Sequence, residues 1–153
     1  EQVVKELLTK YFTLRISWVF ADHGHNFIRT MLRLSETHDT LTVVNDQIGS
    51  PTYCPDVAKL VCEMIRTEKY GTYHVTNEGL CSWYDFAVEI FRQAGKKVTV
   101  KPVTSEEYGA SKAVRPKNSR MSKDKLVQAG FDRLPPWQDA LTRFLKNVGE
   151  YRL

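Results

Sequence analysis

The chain has 153 residues, of which 42% are apolar and 26% charged, and it carries a formal net charge of +4. This composition is typical of one folded domain with a hydrophobic core, and it excludes an intrinsically disordered chain. No apolar run in the sequence approaches the roughly 20 residues needed to cross a bilayer, and the first residues lack the order of a secretory signal. We therefore expect a cytoplasmic protein without a membrane partner.

Helical and strand periodicities alternate along the chain. Residues 12–20 are apolar on both alternating faces, which predicts a strand buried within a sheet. Asn26 is a candidate helix cap, and Ser82 with Asp85 three residues later is an acidic variant of the capping box before a helix that Gly95 ends. The predicted order is helix 1–8, strand 12–20, helix 27–34, strand 41–44, helix 56–65, strand 72–75, helix 83–94, strand 98–103, helix 122–129 and helix 137–148.

This alternation predicts an α/β fold with parallel or mixed strands and flanking helices. None of the predicted strands leads into Gly-x-Gly-x-x-Gly or a Walker lysine. Any dinucleotide is therefore expected to be bound mainly by residues outside this chain. The opening helix has neither a cap residue nor an initiator methionine before it, so we expect the chain to begin inside a larger protein.

Cysteine and histidine side chains are the candidate metal ligands and redox groups of this sequence. Cys54, Cys62 and Cys81 show no Cys-x-x-Cys spacing and lie in or beside apolar helical patterns, which predicts buried free thiols. His23 and His25 have a spacing known from metal ligands, but no third ligand is evident nearby, so an exposed turn is favoured. We expect no metal site.

The most informative segment is the basic loop Arg115-Pro-Lys-Asn-Ser-Arg120. Residues 112–125 hold six basic residues against one acidic residue, a net charge of +5, so the rest of the chain sums to −1. Arginine binds phosphate oxygens in pairs, and Asn118 and Ser119 can add neutral hydrogen bonds. The segment predicts a phosphate-binding loop, with a solvated basic loop as the alternative, and Lys117 is expected to face water.

Five motifs occur together along the chain: Arg15-Ile-Ser-Trp18, Asn26-Phe27, Met31-Leu-Arg-Leu34, Val44-Asn-Asp-Gln-Ile-Gly-Ser-Pro-Thr52 and the basic loop. In order and spacing they closely resemble the C-terminal half of the dTDP-4-dehydrorhamnose reductase family, which belongs to the extended short-chain dehydrogenase/reductases. The resemblance spans essentially the whole chain.

The resemblance implies the C-terminal part of a Rossmann-like fold. Residues 1–153 would form a single fragment that binds a nucleotide-sugar and includes the last Rossmann strands, without the N-terminal dinucleotide-binding portion. The implied reaction is the reduction of dTDP-4-dehydro-L-rhamnose to dTDP-L-rhamnose, a precursor of cell-surface polysaccharide, with hydride from NADPH or NADH. The family's catalytic tyrosine, in a Tyr-x-x-x-Lys motif, precedes the opening helix. We therefore expect no catalytic residue here and no activity from this chain alone.

The resemblance also implies where the dTDP-sugar binds. Arg115 and Arg120 would lie near the diphosphate, and Trp18 would border the sugar, although burial alone could explain a tryptophan there. Gln47 has donor and acceptor atoms for a sugar hydroxyl or a base edge, whereas Pro51 either contacts the ligand or only shapes the turn. The expected substrate-binding residues are Trp18, Asn26, Phe27, Gln47, Pro51, Thr52, Arg115, Asn118, Ser119 and Arg120.

Other functions fit the same residues less directly. A regulatory, non-catalytic binding protein of the same fold, like the regulatory subunit of methionine adenosyltransferase, is the main alternative. Nucleic-acid binding is disfavoured because the basic loop is a small footprint and no aromatic residues alternate with its charges. A homodimer is left open. Trp83, Phe86 and Phe91 recur at helical spacing and are expected to be core residues, not cofactor contacts.

Overall fold

The structure is a computed structural model that describes residues 1–109 and 115–152. Within these ranges helices and short strands alternate, which confirms the α/β class. The helices are α1 Gln2–Leu7, α2 Phe27–Leu34, α3 Cys54–Met64, α4 Trp83–Gln93, α5 Ser105–Tyr108, α6 Asp124–Gln128 and α7 Trp137–Asn147. The strands are β1 Phe12–Arg15, β2 Val19–Phe20, β3 Thr40–Val44, β4 Ile48–Gly49, β5 Thr52–Tyr53, β6 Gly71–His74, β7 Asn77–Glu78, β8 Cys81–Ser82, β9 Thr99–Val103 and β10 Leu134–Pro136.

The described strands pair two by two, and most of the pairs are parallel. β1 lies beside β6, β2 beside β5, β3 beside β9 and β7 beside β10, all in parallel. The β3–β9 ladder runs from Thr40 opposite Thr99 to Val44 opposite Val103. β4 and β8 pair antiparallel, with Gly49 opposite Cys81. The expectation of parallel and mixed strands with flanking helices is confirmed.

The strand predicted for residues 12–20 is interrupted, so its predicted length was wrong. Trp18 separates β1 from β2 with a φ of 49°, and it is the one non-glycine residue of the described chain with positive φ. Ile16 and Val19 are exposed, so the segment is not buried on both faces. The apolar pattern could not reveal this break, because a single residue in the left-handed region leaves the sequence of apolar residues unchanged.

The predicted helix starts agree closely with the structure. The side chain of Asn26 accepts a hydrogen bond from the backbone N–H of Arg29 at 3.0 Å and caps α2. The Ser82 hydroxyl accepts one from the Asp85 N–H at 3.0 Å, and the Asp85 carboxylate accepts one from the Ser82 N–H at 2.9 Å. Both arrangements satisfy N–H groups that a helix cannot satisfy internally, which is why the polar residues mark these boundaries.

Two hydrophobic clusters form the described core. The larger one centres on α4 and α7, where Phe86, Ile90 and Phe144 are at most 1% exposed. The smaller one packs Leu60 and Met64 of α3 against β6 and α6. Each of these helices contributes an apolar stripe at helical spacing, as the sequence predicts.

A buried polar network connects these helices. The Asp56 carboxylate of α3, which is 8% exposed, accepts hydrogen bonds from the Arg143 guanidinium at 2.7 and 2.8 Å. The side-chain amide of Asn77 in β7 donates to the same carboxylate at 2.7 Å, and its oxygen accepts from the Tyr53 N–H at 2.8 Å. The charge of Asp56 is thus paired and hydrogen-bonded, which is the condition for burying a carboxylate without a large penalty.

A few details of the sequence prediction were wrong. Ile65 was expected on the buried face of α3 but is exposed, because the helix ends at Met64. Cys81 is buried as expected, whereas Cys62 is exposed and Cys54 is intermediate. In the part of the chain that the structure describes, no disulfide forms and no three His, Cys, Asp or Glu residues cluster as metal ligands. Among the same residues, no helix is long and apolar enough to span a membrane.

Candidate functional site

A pair of stacked indole rings forms one wall of the candidate site. The rings of Trp18 and Trp83 lie 3.8 Å apart between centroids with 15° between their planes, and the Phe27 ring lies 4.7 Å from the Trp83 ring. Trp18 comes from the break between β1 and β2, Trp83 from the first turn of α4, and Phe27 from the first turn of α2. Three separate segments therefore contribute to one aromatic surface. We call the two stacked rings of this surface, Trp18 and Trp83, the indole platform.

The backbone around Trp18 is fixed by the neighbouring loop. The Trp18 carbonyl accepts a hydrogen bond from the Thr52 N–H at 3.1 Å, and the Ser17 hydroxyl donates to the Ser50 carbonyl at 3.2 Å. Pro51 and Thr52 are buried, and Thr52 is fully so. These contacts hold the Trp18 backbone in its left-handed conformation.

The indole platform lines a cavity of about 500 Å³. This volume lies in the range of small-molecule sites, which are mostly apolar with a few placed polar groups. The lining residues are Trp18, Phe27, Met31, Thr42, Val43, Val44, Gln47, Trp83, Tyr108, Arg115, Pro116 and Ser119. The cavity thus combines an aromatic and aliphatic wall with a guanidinium, an amide and three hydroxyl-bearing side chains.

Asp46 connects the polar rim of this cavity to two neighbouring segments. One carboxylate oxygen accepts hydrogen bonds from the backbone N–H and the hydroxyl of Ser105, at 2.9 and 2.6 Å. The Lys117 ammonium lies 3.1 Å from the other oxygen. The Ser105 hydroxyl and the Lys117 ammonium hold the pKa of Asp46 below its ordinary value. Gln47 donates a further hydrogen bond to the Ser105 hydroxyl at 2.9 Å, so α5 is anchored beside the cavity.

The basic loop runs alongside β4. The Ile48 N–H donates to the Lys117 carbonyl at 2.9 Å, and the Ser119 N–H donates to the Ile48 carbonyl at 2.8 Å, which forms a parallel bridge between Ile48 and Asn118. The Asn118 side-chain oxygen accepts from the Arg120 N–H at 3.0 Å. Arg115 and Ser119 consequently line the cavity, while Arg120 is exposed outside the lining.

The ten residues expected to bind substrate divide into two groups. Five of them line the cavity together: Trp18, Phe27, Gln47, Arg115 and Ser119. The others are not in the lining, although each is a sequence neighbour of a lining residue or is in or beside the loop that bonds the Trp18 backbone: Asn26, Pro51, Thr52, Asn118 and Arg120. A ligand role for the first group is thus compatible with the geometry, whereas Asn26, Thr52, Asn118 and Arg120 form hydrogen bonds within the protein.

The basic patch is smaller than the charge count suggests. Lys112 lies outside the described residues, and Lys123 is 8% exposed, with its ammonium 3.1 Å from Glu78 and 3.3 Å from the Thr76 hydroxyl. The Lys125 ammonium lies 5.0 Å from the centre of the Tyr73 ring. Lys117 is largely exposed, as expected, but also pairs with Asp46. Of the described cations in this segment, Arg115 is the one that reaches the cavity.

Comparison with known proteins decides the family. Residues 1–150 match the family described as the RmlD substrate binding domain. The chain belongs to this family. The resemblance to dTDP-4-dehydrorhamnose reductases is thereby confirmed.

Two relatives are similar to this RmlD-family chain over nearly its whole length. The spore coat polysaccharide biosynthesis protein SpsK of Bacillus subtilis is 44% identical over 95% of this chain and 50% of its own length. The dTDP-4-dehydrorhamnose reductase of Aggregatibacter actinomycetemcomitans is 40% identical over 99% of this chain and 54% of its own length. The chain therefore spans about half the length of the curated relatives it matches.

A solved structure agrees with the fold. The crystal structure of dTDP-4-dehydrorhamnose reductase from Bacillus anthracis in complex with NADP is 46% identical to this RmlD-family chain and superimposes with a TM-score of 0.90. The match covers 96% of this chain and 51% of the solved one. The arrangement of helices and strands described above is that of the solved reductase.

Sequence reasoning missed several lining residues of this RmlD domain. Trp83 was expected in the core but is only half-buried and stacks on Trp18, although its neighbour Phe86 is a core residue as predicted. Tyr108 was not singled out, because α5 was not predicted. A capping box at Thr104 and Glu107 was the signal available for that helix.

One tyrosine of the chain has a lysine at the fourth following position, Tyr108 followed by Lys112. Tyrosine and lysine side chains at this spacing act together when a continuous helix places positions i and i+4 on one face. Here α5 ends at Tyr108, and the next residue, Gly109, is left-handed with φ of 56°. Lys112 itself lies outside the described residues. The spacing alone therefore assigns no catalytic role to Tyr108.

Proposed function

We propose that this chain is the nucleotide-sugar-binding portion of an NAD(P)H-dependent reductase that converts dTDP-4-dehydro-L-rhamnose to dTDP-L-rhamnose. The observation that carries the proposal is the cavity, in which the indole platform faces a polar rim containing Arg115. A nucleotide-sugar has flat apolar faces on its base and hexose and a doubly charged diphosphate, so it needs such a combination. Family membership and the names of the relatives support the same reaction.

Roles for individual residues follow from their positions. Arg115 would bind the diphosphate and Ser119 would add a hydrogen bond, since both line the cavity. The indole platform would hold a flat face of the sugar or base, with Phe27 beside it. Gln47 would bind a hydroxyl or a base edge.

The remaining residues of the expected site would act through these groups. Asn26 caps the helix that presents Phe27, and Pro51 and Thr52 support the Trp18 backbone. Asn118 and Arg120 shape the loop that carries Arg115. We propose them as residues that position the lining side chains.

Hydride would be supplied by NADPH or NADH. The sequence of this chain lacks the Gly-x-Gly-x-x-Gly turn with which a Rossmann domain binds the pyrophosphate of a dinucleotide. We therefore propose that residues 1–153 form one substrate-binding unit and that the dinucleotide is bound by the other half of the complete enzyme. We further propose that the protein is cytoplasmic and has no nucleic-acid or membrane partner. A homodimer is the assembly to test.

The test uses the complete protein with dTDP-4-dehydro-L-rhamnose and NADPH. NADPH oxidation that depends on the sugar nucleotide is expected, and Arg115→Ala should raise KM while Lys59→Ala, at an exposed position of α3, should not. A complete protein that binds dTDP without oxidising NADPH would instead be the non-catalytic binding protein considered above. Failure to bind dTDP would refute both functions.

A further inference from the structure

Helix α2 separates the nucleotide-sugar cavity from a second one. Phe27 and Met31 line the first cavity, whereas Arg29 and Arg33, four residues apart, line a second cavity of about 440 Å³. Positions i and i+4 of a helix lie on the same face, so both guanidinium groups point to this second side. The lining residues are His23, Gly24, His25, Arg29, Thr30 and Arg33.

The second cavity has a basic lining without an acidic residue. Arginine is permanently charged, and like charges at i and i+4 repel, so Arg29 and Arg33 are mutually unfavourable unless an anion lies between them. The two oxygens of the nearby Asp22 carboxylate accept hydrogen bonds from the Tyr53 hydroxyl at 2.5 Å and from the Asn147 amide at 3.0 Å, and in the described chain neither oxygen pairs with Arg29 or Arg33. The sequence outside residues 112–125 has a net charge of −1, so the positive charge around this cavity is a local excess and not a general property of the chain.

Arg29 is held in place at the cavity wall. One of its N–H groups donates to the backbone carbonyl of Asp22, and its guanidinium carbon lies 5.8 Å from the centre of the Phe144 ring. These contacts fix the orientation of the guanidinium and leave its other N–H groups available. A pre-oriented donor loses less entropy when a ligand binds.

The other donors of the cavity are not used by the protein. Within residues 1–109 and 115–152, the Arg33 side chain and the imidazoles of His23 and His25 form no hydrogen bond or ion pair. Gly24 lies between the two histidines with φ of 79°, and a Cβ atom there would meet nothing within 4 Å, so the mouth of the cavity is open. Four basic side chains thus surround a space that a ligand can enter.

We propose that this cavity is a second binding site, specific for a multivalent oxyanion of the phosphate or pyrophosphate type. Guanidinium groups match the paired oxygens of a phosphate, and imidazole N–H groups add single donors. The recessed shape fits a small soluble anion better than the surface of a lipid bilayer. The site lies on the face of α2 opposite to the indole platform, so it is independent of the nucleotide-sugar cavity.

The test is a titration of the complete protein with inorganic pyrophosphate at constant ionic strength, followed by NMR of the histidine side chains. The signals of His23 and His25 should shift with saturation, while that of His38 should not. Arg33→Gln should raise the dissociation constant about tenfold, as expected for a lost charge-assisted hydrogen bond. Arg66→Gln, at an exposed position after α3, is the matched control and should change nothing.

Three outcomes would overturn the proposal. The first is an unchanged dissociation constant in Arg33→Gln with an unchanged circular dichroism spectrum. The second is an equal shift of all histidine signals, or a loss of the shifts in Arg115→Ala, which would assign the binding to general charge or to the first cavity. The third is sedimentation with phosphatidylglycerol vesicles that depends on Arg33 while free pyrophosphate gives no shift, because the ligand would then be a lipid headgroup.

Discussion

Gly49 is expected to set the position of the indole platform. Among the eight glycines of the chain it is the one whose φ is not positive, so its backbone does not require glycine. What requires it is Trp18: a Cβ atom added at Gly49 would lie 2.7 Å from Cε2 and 2.9 Å from Cζ2 of the indole. Gly49→Ala therefore tests the packing of one ring and not the strain of a turn.

The size of the effect follows from these distances. For ordinary contact the indole of Trp18 must move from 2.7 Å to at least 3.4 Å from the new methyl group, a shift of 0.7 Å. The indole is stacked on Trp83 at 3.8 Å between centroids and lines the cavity, so a shift of this size disturbs the stack or moves the ring into the cavity. Overpacking of this kind costs about 1–3 kcal/mol. Part of this cost is the disturbed stacking of Trp18 on Trp83, a contact that contributes about 0.5–1.5 kcal/mol.

Two measurements on the complete protein test this reasoning. Urea unfolding of Gly49→Ala should show a free energy of unfolding lower by about 1–3 kcal/mol, and KM for the nucleotide-sugar should rise about tenfold because the platform is displaced. In a Trp18→Ala background the same substitution should cost close to nothing, since the clashing ring is gone. An equal loss of stability with and without the Trp18 indole would refute the assignment of the clash.

Three further predictions concern the site and its supports. In steady-state kinetics of the complete protein, Arg115→Ala should raise KM about 10- to 150-fold, because a charge-assisted hydrogen bond is lost. Arg120→Ala should raise KM less, because of these two arginines only Arg115 lines the cavity, and equal effects on KM would contradict this reasoning. Burial and then Asp22 raise the pKa of Tyr53 to about 12 from an ordinary value of 10.0, so the stabilising effect of its hydroxyl should be full below pH 10.0 and disappear as the pH rises to about 12. The difference in free energy of unfolding between the parent and Tyr53→Phe, measured in urea, should therefore be full at about pH 9 and decline between pH 10 and 12, and a constant difference would refute the pKa assignment. Ser82→Ala should lower the free energy of unfolding, measured in urea, by about 1–2 kcal/mol, because the capping box of α4 is lost. An unchanged free energy of unfolding would contradict this role of Ser82.

Local signals predicted most of the helices. The caps at Asn26 and Ser82 act on the backbone a few residues away, so the sequence contains both partners of each hydrogen bond. The β-strands were harder, since β4, β8 and β10 have two or three residues each and show no periodicity. The break at Trp18 depends on support from Thr52, which is distant in sequence, and no local pattern could show it.

The candidate site was predictable where side-chain chemistry decides and not where packing decides. A guanidinium beside an amide and a hydroxyl predicted the polar rim, and Arg115 and Ser119 do line the cavity. A charge count, however, cannot distinguish Arg115 from Lys123, whose ammonium is buried beside Glu78. Helical spacing predicts the face of α4 on which Trp83 lies. It does not predict whether other elements bury that face at the first turn of the helix, where Trp83 is only half-buried.

The position of the basic loop follows from contacts made far away in the sequence. Asp46 binds Ser105 on one side and Lys117 on the other, and the backbone of Ile48 pairs with both neighbours of Asn118. Asp46 and Ile48 belong to the same loop as Gln47, which lines the cavity, and they flank Gln47 in sequence. Any change that loosens this loop must therefore move the amide of Gln47 and the guanidinium of Arg115 together. Gln47 and Arg115 would then lose their contacts with the ligand together, although about 70 residues separate them in sequence.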